Sequence, residues 1–270
     1  MHNPFEEITL ESDGARAEIY PYGAHVTAWQ PAEKAERLFL SEKAEFRPGA
    51  AMRGGVPVVF PQFSGFGLLP KHGFARNLPW EVQEVTSDRL ILQLSDTPDT
   101  RQLWDYPFLL RLRVKIAGQA LNVRLSVENT GEQAFTFTGA LHTYLRVNDL
   151  ADVEIDGLNG RLYRDYTDGG TEKFADKANL RFNQETDRLY PGVTHPIVVR
   201  EPGQVTRITS SGFPDVVIWN PGAEKSAALA DMEPDGYQRF VCVEAAAAAS
   251  PINVAPGETW NGEQSLTVVE

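Results

Sequence analysis

Two residues have the chemistry for moving a proton at neutral pH: His142 in TGALHTYLRV and Glu244 at the end of RFVCVEA. Histidine is the one side chain whose unperturbed charge change falls near neutrality. Strand alternation puts Ala140, His142 and Tyr144 on one face, which suits a pocket wall and equally a satisfied structural ring. Glu244 shares a face with Phe240 and Cys242 in an otherwise apolar run. A carboxylate there must be paired, hydrogen-bonded or exposed, because burying it alone is costly. It is either the wet end of a strand or a base.

A second chemistry, anion binding, is offered by MRGGVPVVFPQFSGFGLLPKHGFAR, residues 52–76. Arg53, Lys71 and Arg76 supply charge, with Gln62 and His72 between them. The planar fork of arginine matches phosphate oxygens in pairs, while spacing alone also allows a surface corner. The rest of the chain is acidic, with net charge −12 and a sequence pI near 4.9. Such a balance argues against nucleic-acid and anionic-membrane partners, so a phosphate ligand needs this local basic patch. Asp187 in the polar stretch QETDRLYPG suits either a turn cap or a contact to sugar hydroxyls. His25 and His195 read as structural, Asp215 as a turn cap and Cys242 as a small apolar side chain. Phosphate-loop, zinc-protease and nucleophile-elbow motifs are missing from the sequence.

The elements that must hold these residues are short strands. Alternating runs such as ALNVRLSVENTG recur between turn residues, the texture of an all-β sandwich or barrel. The one helix-like stretch, EAAAAAS at 244–250, ends at Pro251 and leaves helix and strand both open. No linker or repeat divides the chain, so a single domain over 1–270 is expected. One cysteine in 270 residues fits a reducing cytosol, and no run approaches a membrane span. The expectation is a cytoplasmic monomer.

In their order, YGAHVTAW, RGGVPVVFPQF, KHGFAR, the histidine of ALHTYLRV, ETDRLY, VVIWNP and VCVEA resemble the aldose 1-epimerase-like proteins, in particular the hexose-6-phosphate mutarotase branch. The resemblance covers nearly the whole chain. It implies a large antiparallel β-sandwich of the galactose-mutarotase type, and it implies His142 and Glu244 as the catalytic pair. Arg53, Gln62, His72, Arg76 and Asp187 become the implied sugar-phosphate ligands. The implied reaction interconverts the anomers of a hexose 6-phosphate, glucose 6-phosphate first. Glu244 acts as base at the C1 hydroxyl, and a protonated His142 acts as acid at the ring oxygen, with no metal or organic cofactor. Ala245–Ala249 departs from the family, which usually has a loop with glycine or asparagine after the glutamate. A free-sugar 1-epimerase and a non-catalytic carbohydrate-binding module are the competing readings. A glycoside hydrolase would need a second carboxylate paired with Glu244, such as Asp187, and the sequence gives no reason to pair them.

Overall fold

Alternation in the sequence becomes hairpins in the computed structural model, which describes residues 3–269. The strands begin with β1 Ile8–Ser12, β2 Ala15–Tyr20, β3 His25–Gln30, β4 Val58–Val59, β5 Glu81–Val85 and β6 Arg89–Ser95. They continue with β7 Phe108–Ala117, β8 Ala120–Asn129, β9 Phe135–Leu141, β10 Tyr144–Arg146, β11 Glu154–Asp156, β12 Leu162–Asp165 and β13 Thr171–Phe174. The last are β14 Thr186–Pro191, β15 Ile197–Glu201, β16 Gln204–Ser211, β17 Asp215–Asn220, β18 Phe240–Val254 and β19 Thr259–Val269. Two short α-helices, α1 Pro98–Leu103 and α2 Gly222–Ala227, interrupt them. Among the described residues no helix is long and apolar enough to cross a membrane.

Two eight-stranded sheets form the body, joined by a small sheet of β1, β2 and β3. One large sheet runs β13-β12-β14-β17-β18-β9-β4, with β10 also on β18. The other runs β11-β15-β16-β19-β8-β7-β6-β5. The strands pair antiparallel throughout. In the β7–β8 hairpin, Leu112 faces Leu125 and Val114 faces Val123, all four buried. Such cross-strand apolar rows join residues of both sheets in one core that extends from Leu10 to Val268. The molecule is an all-β antiparallel sandwich.

The alanine run at 244–250 is strand, not helix. β18 has small residues facing both ways: Val243, Ala245 and Ala247 enter the main core, while Ala246 joins Val59, Phe63, Leu189 and Val217 on the outer face. A strand covered on both faces reads as a continuous apolar run, which hides its period. Alanine's helix propensity is overridden by the pairing with β17 and β9. Asp187, which the sequence places in a polar turn, lies in β14 between β12 and β17. Asp215 does cap backbone, but not its own turn. Its Oδ2 accepts from the N–H groups of Ala248, Ala249 and Ser250 at 2.9, 2.8 and 3.2 Å, where β18 bulges between Ala247 and Ile252.

Candidate active site

The outer face of the first sheet carries the candidate site. Alternation sends Val241, Val243 and Ala245 of β18 into the core, so Cys242, Glu244 and Ala246 face outward. Register extends that face across neighbouring strands: Asp187 pairs with Trp219, Trp219 with Cys242, and Cys242 with Tyr144. One step along, Leu189 pairs with Val217 and Val217 with Glu244. His142 falls in the break between β9 and β10 and stacks on Tyr144 with ring centroids 4.9 Å apart.

The basic stretch roofs this face because its glycines let the backbone press close. Gly54 and Gly55 have positive φ, and a Cβ on Gly55 would collide with the Val26 carbonyl oxygen. Gly73, also at positive φ, leaves no room for a Cβ against the Phe60 carbonyl. The two turns fold Arg53 and Arg76 toward one cavity of about 150 Å³. That cavity is lined by His142, Glu244, Arg53, His72, Arg76 and Asp187, six of the seven residues expected from the sequence. Gln62 is not brought there. Its Nε2 donates to the Ser64 and Leu69 carbonyls at 3.1 and 3.0 Å, and its Oε1 accepts from the Leu69 N–H at 3.0 Å. Gln62 therefore closes the 64–69 loop.

Lys71, Lys225, Tyr144 and Trp219 complete the walls. Trp219 was open to detection, since alternation along VVIWN puts it on the face of Val217. Lys225 carried no signal, because α2 projects it over the sheet after Pro221, in a polar helix with no periodic pattern. A larger groove of about 620 Å³ adjoins, but it is lined by Asp149, Glu185 and Glu224 and by no histidine, lysine or arginine. It offers no cation to hold an anion.

Distances separate the charges by role. His142 Nε2 lies 3.3 Å from Glu244 Oε1, and the two residues are 7% and 1% exposed. Their other polar atoms, His142 Nδ1 and Glu244 Oε2, are buried without a protein partner. Burial drives the imidazole well below its ordinary range, helped by His72, Arg76 and Arg53. Burial drives the carboxyl well above its own, helped by Asp187. Both shifts favour the neutral pair, with the proton on the carboxyl, over the charged pair with a protonated His142 expected from the sequence. His72 is held down at about 3, by burial first and then Arg76, Lys71 and Arg53. Its Nδ1 accepts from the Ser64 N–H at 3.3 Å, which leaves the Nε2–H as donor.

Among the cations, Arg53 is held by Asp231, at 3.1 and 3.0 Å from Nε and Nη2, and donates Nη1–H to the Tyr144 hydroxyl at 3.1 Å. Lys225 pairs with Glu185 at 2.6 Å. Among the described residues, Arg76 donates only to the Lys71 carbonyl, at 3.1 Å, and its Nε is buried without a protein partner. Arg76 and Lys71 are, among the described residues, the cations of this cavity that no carboxylate holds. His25 and His195 are structural, as expected, each facing a backbone carbonyl: Gly54 at 2.8 Å and Gly157 at 2.5 Å.

The chain matches the aldose 1-epimerase family over residues 6–267. It is 35% identical over 282 residues to a Cenchrus ciliaris protein named "Putative glucose-6-phosphate 1-epimerase", covering 98% of this chain and 85% of that one. An Escherichia coli K12 protein of the same name is 35% identical over 272 residues, covering 97% and 90%. The crystal structure of a "putative mutarotase" from Salmonella typhimurium matches with a TM-score of 0.90 at 31% identity, covering 98% of this chain and 90% of that one. The chain belongs to the aldose 1-epimerase family.

Proposed function

We propose that this protein interconverts the α and β anomers of a hexose 6-phosphate, with glucose 6-phosphate, named for its relatives, as the leading substrate. The observation that carries the reading is one cavity holding a buried histidine–glutamate pair and, among the described residues, two cations that no carboxylate holds. Opening the ring removes the C1 hydroxyl proton and adds one to the ring oxygen. Both oxygens are bonded to C1, so the groups that serve them must be neighbours, as His142 and Glu244 are.

A dianionic phosphate at Arg76 and Lys71, with Arg53 beside them, offsets the positive charge of Arg76 and Arg53 that adds to burial in keeping His142 neutral. The proton then passes from Glu244 to His142 along their 3.3 Å contact, leaving a carboxylate base and an imidazolium acid. Glu244 takes the C1 hydroxyl proton, His142 protonates the ring oxygen, and the C1–O5 bond breaks to give the aldehyde. Rotation about C1–C2 presents the other carbonyl face, and each group returns its proton as the ring closes. In this reading His72 and Asp187, which line the same cavity, hold ring hydroxyls.

Exchange between the anomers of glucose 6-phosphate, followed by NMR, tests this. Glu244→Gln should slow catalysed exchange about 10²–10⁴-fold. Arg76→Ala and Lys71→Ala should each lower kcat/KM for the phosphate about 10- to 100-fold, from about 1.5–3 kcal/mol per charged hydrogen bond, and leave free glucose nearly unaffected. Equal losses on both sugars would refute phosphate recognition, and exchange no faster than in buffer would refute the activity.

A further inference from the structure

Gln264 is a polar side chain in an apolar row. It lies on β19 of the sheet opposite the site, 1% exposed, between the inward-facing Gly262 and Leu266. Burying an amide is tolerated only when its groups are satisfied. Gln264 is satisfied across the sandwich: its Nε2 donates to the Val243 carbonyl at 2.9 Å, and its Oε1 accepts from the Thr143 hydroxyl. Val243 immediately precedes Glu244, and Thr143 immediately follows His142.

The need for this contact comes from the break in the sheet. β18 pairs with β9 up to Leu141 and with β10 from Tyr144, so His142 and Thr143 form no ladder pair. The backbone there turns aside: the His142 N–H bonds to Pro57, and the Thr143 N–H folds back on Leu141. The Val243 N–H still reaches the Thr143 carbonyl at 3.1 Å. The Val243 carbonyl finds its donor in Gln264.

The geometry points to Gln264 as a positioning residue, which supplies the missing rung between β18 and the β9–β10 break and so sets the spacing of His142 and Glu244 from behind. Thr143 is its partner in that role. Both lie on the core side of the sheet and neither lines the cavity, so they act on the reaction only through the strands that carry the pair. This inference rests on the proposed acid–base roles of His142 and Glu244.

Steady-state anomer exchange with glucose 6-phosphate tests it. Gln264→Leu should lower kcat about 10²-fold with KM changed less than about twofold, since displacing reacting groups by about 1 Å has that order of effect. Thr143→Val should lower kcat less, Thr143→Ser should keep it, and the double variant Gln264→Leu/Thr143→Val should be no slower than Gln264→Leu alone. Leu266→Ala, on the same face but outside the network, should keep kcat well below its unfolding temperature. A folded Gln264→Leu with wild-type kcat overturns the proposal. Should that variant fail to fold, the Thr143 pair decides: a loss in Thr143→Val restored in Thr143→Ser supports it, and equal kcat in both overturns it. Full activity in Glu244→Gln would refute the acid–base reading itself. An inactive Glu244→Gln beside a fully active Gln264→Leu would refute positioning alone.

Discussion

Asp187 shows how burial acts on a single carboxylate. Its pKa is pushed up from 3.8 to about 6, by burial above all and then by Glu185, against the opposing pull of Lys225 and Lys71. A folded-state pKa above the unfolded one means that the unfolded chain releases this proton first. Stability is therefore lost as pH rises between those two values, and the loss is complete above the folded pKa. Asp187→Asn has no charge to bury. The difference in unfolding free energy, wild type minus variant, should fall between about pH 4 and pH 6 and level off above. Urea midpoints across that range check it, and a difference that grows with pH would contradict the burial. The residue type was legible in ETDRLY, but its protonation was not, because the burial that raises its pKa depends on what packs around β14.

β18 shows the same division at the scale of an element. Its residues 240–244 are legible as a strand from VCVE, and the alanines that follow look helical because alanine gives no alternation. The bulge between Ala247 and Ile252 is held by the three amides that converge on Asp215 Oδ2. Asp215→Ala would leave those donors without a protein acceptor and should cost about 3 kcal/mol of stability. Asp215→Asn, which keeps an acceptor oxygen, should cost less. Chemical denaturation of both variants measures it, and equal stability of wild type and Asp215→Ala would remove the clamp from the account.

At the scale of the whole molecule, a buried ion pair fastens the segment after β3 to the second large sheet. Arg37 donates to Glu201 Oε1 at 3.3 Å and to the Thr206 hydroxyl at 2.9 Å, and Glu201 Oε2 accepts from the Asn148 N–H at 2.7 Å. Arg37 is 4% and Glu201 8% exposed. Removing one member strands the other in low dielectric, so Arg37→Met should destabilise by about 3–5 kcal/mol, and Arg37→Met/Glu201→Leu should regain most of it. Thermal and denaturant unfolding decide this, and a double variant no better than the single would show that the pair itself stabilises. By itself the sequence determined the strand texture, the all-β class and the basic stretch, because alternation and turn chemistry are local properties of the chain, while the pairing of His142 with Glu244 was implied only by the resemblance to the family. Only the tertiary structure decided that Gln62 braces a loop, that Lys225 walls the cavity, that burial favours the neutral His142–Glu244 pair, and that Gln264 stands behind it. Those outcomes depend on which strands become neighbours and what they exclude from water, and no local pattern records either.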